Sequence, residues 1–315
     1  MYRKNDEPCF ISTQSIVMDL PLNLEKIPST GCGVFAHASS IVIGGGFSIL
    51  SAVARQGIKS YCASPLGTGP NSKQIKEAFR IENIDFLVEE VVGDNGMNIS
   101  LRDSEGNYTN IVSSGVEIEP QLSELLDITL RDGDYIFISG MDLANASSAK
   151  VIFQWLEQIE CDVKIVFSPG SFVTSEIDIE KILSFTDILT INKREVSILF
   201  GEITDKDFWK YMHEKMKDDA MIIVRDGLDD CMVKPKNHGN KILSVPCIRK
   251  DPVDTAGIAD AHTGVLVASL MSGFGIYESV RRANLAASIC ASKFGYTNCP
   301  TASEIDIFLK QSLLG

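Results

Sequence analysis

Short apolar runs alternate with longer amphipathic segments along most of the chain. Tyr135–Ser139, Val163–Phe167, Ile188–Ile191 and Met221–Val224 are branched and apolar at consecutive positions, which suits strands covered on both faces. Ser148–Gln158, Ile177–Phe185, Arg194–Phe200 and Asp205–Met216 carry helical periodicity between them. Strands alternating with helices predict an α/β fold, a three-layer αβα sandwich around a mainly parallel sheet. Two stretches break the rhythm. Residues 19–38 are rich in Pro, Gly, Ser and Thr. In residues 96–114, Met97–Leu101 and Tyr108–Val112 flank Asp103-Ser104-Glu105-Gly106-Asn107 and predict a β-hairpin. From Ala259 onward the pattern is largely helical. No internal repeat or low-complexity segment divides residues 1–315, so a single domain is expected.

Composition narrows the classes of partner. Lys plus Arg total 29 against 42 Asp plus Glu, a formal net charge of −13. The cations are scattered, so nucleic acid is a poor partner. The first apolar stretch is interrupted by Ser12, Thr13, Gln14 and Ser15, which rules out a signal-peptide core there, and no apolar run is long enough to span a bilayer. No membrane association is expected. Eight cysteines form no CxxC pair and no Cys/His cluster with zinc spacing, a pattern of free thiols in a reducing compartment. A soluble cytoplasmic protein follows as the expectation.

Three segments could carry chemistry. Asp254-Thr255-Ala256-Gly257-Ile258-Ala259-Asp260 is a small-residue turn leading into the apolar helix Val265–Met271. Such a turn aims backbone N–H groups outward from the positive end of a helix dipole, which favours an anion. Asp260 would repel that anion unless it faced a neutral hydroxyl beside it; the alternative is an ordinary acidic first turn. Ile43-Gly44-Gly45-Gly46-Phe47-Ser48, continuing to Gly57, lets backbone approach a ligand closely, or is a tight strand-to-helix turn. It is neither a Rossmann fingerprint nor a Walker A loop. Asn192-Lys193-Arg194-Glu195 follows a strand, where open α/β sheets bind ligands; it also spells a capping box.

Taken in order, these segments resemble the ribokinase-like (PfkB) carbohydrate kinases, whose C-terminal signature D-T-x-G-A-G-D is matched by Asp254–Asp260. The resemblance covers essentially the whole chain. It implies that Gly257, Ile258 and Ala259 form an anion hole for the transferring phosphoryl group and that Asp260 is the catalytic base. Ile258 and Ala259 depart from the signature. A positive φ at Ala259 would cost on the order of 1 kcal/mol. Asp19, Gly45, Gly46 and Ser48 are implied to bind substrate, Ser48 standing where the family has Asn. Asn192, Asp254, Gly227, Arg225 and Asn284 are implied to serve the nucleotide, Arg225 replacing a Thr. Glu195 is implied to act on Mg²⁺ through water. His262 falls at a usually aromatic position and is expected to pack beneath the turn. The lid is expected from approximately residues 19–40 and 95–113. ATP and Mg²⁺ are the implied cofactors, a primary hydroxyl of a sugar-like small molecule the implied acceptor, and a homodimer through the lid fits the same family. The helix N-terminus is expected to hold Asp260 ionised. A kinase fold kept for ligand sensing, and a nucleoside kinase, remain the alternatives.

Overall fold

The computed structural model describes the chain apart from residues 1–2, 4–5, 38–39, 106–107, 171–176, 202–204, 228–229, 236–240, 248–251, 294, 296–297 and 312–315, and the side chains of residues 108, 205 and 213. Nine strands form the main sheet in the spatial order Leu243–Val245, Cys231–Pro235, Met221–Arg225, Ile188–Asn192, Lys164–Ser168, Tyr135–Ser139, Phe10–Ser12, Ser60–Cys62, Asp85–Phe86. Met221–Arg225 and the six strands beyond it run parallel, and the first two strands close one edge antiparallel.

The consecutive apolar positions are explained by where their two faces go. Ile136, Ile138, Phe167, Leu189 and Val224 pack on one side with Trp155, Leu183 and Met212. Phe137, Val166, Ile188 and Ile223 pack on the other with Leu50, Leu266 and Ala283. Helices therefore cover both faces, as the sequence pattern predicts for a three-layer α/β sandwich. The helices Gly46–Ala54 and Ile258–Met271 lie against each other so closely that a Cβ on Gly264 would stand 2.6 Å from Ala52 Cβ. Both carry glycine-led N-termini towards the same region.

A second sheet orders Val42–Gly45, Ile16–Asn23, Met97–Arg102 and Tyr108–Ser113. The hairpin is where its alternation predicts it. The Pro/Gly/Ser-rich stretch contributes its first residues, 19–23, to strand Ile16–Asn23, and strand Val42–Gly45 follows it. Between Asn23 and Val42 the described residues form only an isolated Asn23–His37 bridge. Composition marks the connection, while one strand starts before it and runs into it and the other follows it.

Two buried carboxylates tie the base of this sheet to the main body. Glu117 accepts the N–H groups of Gly96 and Gly115, each at 2.8 Å. Asp142 accepts the N–H of Ser15 at 2.9 Å and the hydroxyl of Thr13 at 3.3 Å. The small sheet thus leaves the core on anchored backbone and hangs over the C-terminal ends of the parallel strands.

Candidate active site

A cleft of about 640 Å³ separates the two sheets. Val17, Asp19, Asn98, Arg102 and Asn110 line it from the small sheet; Ser139, Gly170 and Glu195 line it from the ends of the parallel strands; the loop from Pro252 to Gly257, with Ala259 and Asp260, forms the remaining wall. The carboxyl ends of parallel strands are where such folds hold ligands.

Helix Ile258–Met271 begins at Gly257, whose φ of 71° is left-handed and open to glycine at little cost. The first helical bond runs from Ala261 N–H to the Gly257 carbonyl at 2.9 Å. The N–H groups of Ile258, Ala259 and Asp260 therefore have no intrahelical acceptor, and no side chain caps them. Among the described residues only Asn83 has positive φ without being glycine. Ala259 lies in the ordinary helical region, so its departure from the family signature carries no backbone strain. The position that demands glycine is Gly257.

Asp260 occupies the first turn of this helix, half-buried, and among the described residues its carboxyl has no hydrogen-bond or ion-pair partner. It keeps some surface towards the cleft but is otherwise ringed by protein. Burial pushes its pKa up to about 7, against the opposing pull of the Arg225 guanidinium. Burial therefore works against the helix dipole, which alone would favour the ionised form. Arg225, at the end of strand Met221–Arg225, lies 3.7 Å from Glu195 Oε2, and its buried Nε and Nη2 have no hydrogen-bond acceptor among the described residues. It is not itself part of the cleft wall.

Asn192 and Glu195 form the reciprocal capping box: Asn192 Oδ1 accepts the Glu195 N–H at 2.8 Å, and Glu195 Oε2 accepts the Asn192 N–H at 2.9 Å. Oε1 of Glu195 has no partner among the described residues, and burial raises this carboxyl's pKa. The capping box and an additional ligand role are therefore compatible, since they use different oxygens. Gly227 turns the chain after Arg225 with φ 58°.

Asp19 is buried, and its Oδ1 accepts from Asn98 Nδ2 at 3.0 Å and Ser100 Oγ at 2.9 Å, with Asn110 Oδ1 accepting from Ser100 at 3.0 Å. Gly45 lines the cleft beside them. Gly46 opens the helix behind it. Ser48 does not reach the cleft: it is buried in that helix, and its hydroxyl has no hydrogen-bond partner among the described residues. Asn284 lies outside the cleft as well. Its Oδ1 meets His262 Nε2 at 3.1 Å and its Nδ2 donates to the Val245 and Pro246 carbonyls, both at 3.1 Å. His262 is buried, and burial lowers its pKa to about 3, so it packs as a neutral ring. Asn98 and Asn110 escaped the sequence reading. Met97–Arg102 alternates apolar and polar residues, but alternation alone does not say whether the polar face meets solvent or a ligand.

The sequence matches the pfkB family carbohydrate kinases over residues 11–303. An uncharacterised sugar kinase of Escherichia coli K12, YegV, is 28% identical over 298 residues, 92% of this chain and 90% of its own length. The ATP-dependent ribose-1-phosphate kinase of Halopiger xanaduensis is 22% identical over 305 residues, 96% of this chain and 98% of its own. In structure, the ribokinase of Cryptococcus neoformans var. grubii, solved with ADP, superposes with a TM-score of 0.79 at 18% identity, covering 97% of this chain and all of that one. The chain belongs to the pfkB family and is an ATP-dependent carbohydrate kinase. Among the described residues no helix is long and apolar enough to cross a membrane.

Proposed function

We propose that the enzyme transfers the γ-phosphoryl group of ATP to a primary hydroxyl of an uncharged sugar-like molecule seated beneath the small sheet. The observation that carries this reading is the meeting of the Asp260 carboxyl with three N–H groups, all without partners among the described residues, in a cleft whose opposite wall is the Asp19–Asn98–Asn110 network. Phosphoryl transfer through a loose transition state needs alignment, neutralisation of the transferring oxygens and a late proton acceptor. The amides of Ile258, Ala259 and Asp260 supply donors to those oxygens. Asp260 orients the acceptor hydroxyl and takes its proton as the new P–O bond forms and the bond to the ADP oxygen breaks. Asp19, Asn98 and Asn110 offer acceptors and donors to the remaining hydroxyls. Arg225, Asn192, Gly227 and Asp254 serve the nucleotide side.

Among the described residues no three His, Cys, Asp or Glu side chains are grouped to hold a metal. That suits Mg²⁺, which retains water and takes phosphate oxygens with few protein carboxylates. Glu195 Oε1 is the group that would reach it through water. When bound, the ion would neutralise charge on the phosphates.

No cation stands in Gly44–Ser48, and Asp19, Glu195, Asp254 and Asp260 make the cleft wall acidic. Two cations line the cleft: Arg102, which Asp254 engages at 2.8 Å, and Arg194, beside Glu195 in the helix Lys193–Phe200 on the nucleotide side. With Arg102 paired to Asp254, sealing a second phosphate dianion under the small sheet would be unfavourable. A panel of matched acceptors, fructose with fructose 6-phosphate and ribose with ribose 1-phosphate, should give higher kcat/KM for the free sugar. Clear preference for the phosphorylated member, the chemistry for which the Halopiger relative is named, would overturn the choice of acceptor. Adenosine in the same panel tests the nucleoside-kinase reading, and ATP-dependent product formation with any acceptor excludes pure sensing.

The opposite face of the small sheet supports the homodimer expectation. Leu20, Leu22, Ile99, Leu101 and the exposed Ile111 alternate with the cleft residues and leave it apolar. Sedimentation should show a dimer that Ile111→Lys weakens; a monomer at micromolar concentration removes this reading.

A further inference from the structure

Arg102 ends strand Met97–Arg102 on the face that also carries Asn98 and Ser100. Its Nη1 crosses the cleft to Asp254 Oδ1 at 2.8 Å. The other bonds of Asp254 all shape the turn before the active-site helix. Oδ1 also accepts the Ala256 N–H at 3.1 Å, Oδ2 accepts the Gly295 N–H at 3.0 Å, and its own N–H reaches the Ala291 carbonyl at 3.2 Å. Three residues after Asp254 comes Gly257, and after it the open amides. One partner of the ion pair thus belongs to the sheet that holds the acceptor contacts, the other to the turn that fixes the anion site.

Magnitudes argue against a role in holding the protein together. The Arg102 side chain is 33% exposed and the Asp254 side chain 14%, and partly exposed ion pairs contribute about 0–1 kcal/mol. Burial alone would raise the Asp254 carboxyl, yet the bonds from Arg102, Gly295 and Ala256 outweigh it and hold the pKa below the usual carboxylate value. The charge of Asp254 is therefore committed to this contact across the functional pH range. A pair weak in stability but placed across the reacting space acts on geometry.

We propose that Arg102 is a positioning residue that, through Asp254, couples an acceptor seated beneath the small sheet to the turn whose amides meet the transferring phosphoryl group. This rests on the reading of the cleft as a phosphoryl-transfer site. The chemical consequence concerns water. With the pair intact, the turn is set for transfer when the sheet is seated over an acceptor. With the pair broken, the sheet and the turn move independently, so transfer slows and water takes a larger share of the γ-phosphoryl group, giving ADP and free phosphate.

The test compares Arg102→Ala, Arg102→Lys, Asp254→Asn and the double variant Arg102→Ala/Asp254→Asn with the wild-type chain. ADP and phosphorylated product are counted separately, with D-fructose, D-ribose or adenosine as acceptor and with none. Arg102→Ala should lower kcat for transfer about tenfold or more and raise the ratio of ADP to product. Its Tm should stay within about 2 °C of wild type. Arg102→Lys should recover part of the coupling, and the double variant should lose less than the product of the two single losses. Unchanged transfer and ADP-to-product ratio in Arg102→Ala overturn the proposal, as do strictly multiplicative losses. A loss confined to KM for sugar phosphates would instead make Arg102 an anion receptor and overturn it too. If the wild-type chain transfers phosphate to none of the acceptors, the functional reading beneath it falls first, which separates the two failures.

Discussion

Asp260→Asn is expected to lower kcat by at least about a hundredfold, because it keeps the shape of the side chain and removes the proton acceptor. Nucleotide affinity should change little, since the amides of Ile258 and Ala259 are backbone groups. The pH dependence follows from burial. With the Asp260 pKa raised to about 7, the ionised base is the minor form below neutrality, so kcat/KM of the wild-type enzyme should rise with pH through a limb near 7. The same shift reaches stability with a definite sign. A carboxyl whose folded-state pKa lies above its unfolded value favours the folded state when protonated; that contribution is full below the unfolded pKa and is lost as pH rises through about 7. Asn mimics the protonated form. The Asp260→Asn variant should therefore melt higher than wild type at pH 8, with the gain shrinking towards pH 4. Near-normal kcat in the variant would sink the assignment of the base, and a Tm gain independent of pH would sink the account of its burial.

What the sequence discloses here depends on whether the deciding contact is local. The strands Tyr135–Ser139, Ile188–Asn192 and Met221–Arg225 are legible because burial on both faces demands apolar residues at every position. The turn at Asp254–Asp260 is legible because small residues, a glycine and a helix start are adjacent in the chain. Whether Ala259 was strained was not legible, because that depends on which residue of the turn takes positive φ; the structure gives it to Gly257. The strands Ile16–Asn23 and Val42–Gly45 were obscured by the stretch between them, and one contains a proline, Pro21. Asn98 and Asn110 acquire meaning only when the hairpin folds over Asp19, 79 residues away from Asn98 in sequence. The Arg102–Asp254 pair spans 152 residues, and no spacing rule reaches that far. The raised pKa of Asp260 is hidden for the same reason: the helix dipole is written locally, whereas desolvation is imposed by residues distant in sequence.

Gly45→Ala is expected to be among the most destabilising single changes outside the core, by about 3 kcal/mol. Gly45 has φ 61° and ψ −139°, a region that side chains reach only with strain. Its missing Cβ matters separately, since one built there would stand 2.2 Å from the Ser15 carbonyl oxygen. That carbonyl cannot step aside cheaply. It accepts the Gly46 N–H at 3.0 Å, and the N–H of Ser15 is held by the buried Asp142 at 2.9 Å. Moving Ser15 would also shift Ile16, the register partner of Gly45, and with it the strand that carries Asp19. Stability and acceptor binding should therefore fail together: Tm falls by about 4–5 °C for a chain of this length, and the acceptor KM rises at least severalfold. Gly57→Ala separates the two causes. Gly57 has φ 87° but open space where its Cβ would lie, so it should cost only the backbone term of about 1 kcal/mol. Urea melts of both variants give the comparison. Losses within about 0.5 kcal/mol of each other would show that Ser15 yields to the new methyl group, and that the crossing between the sheets is softer than its hydrogen bonds imply.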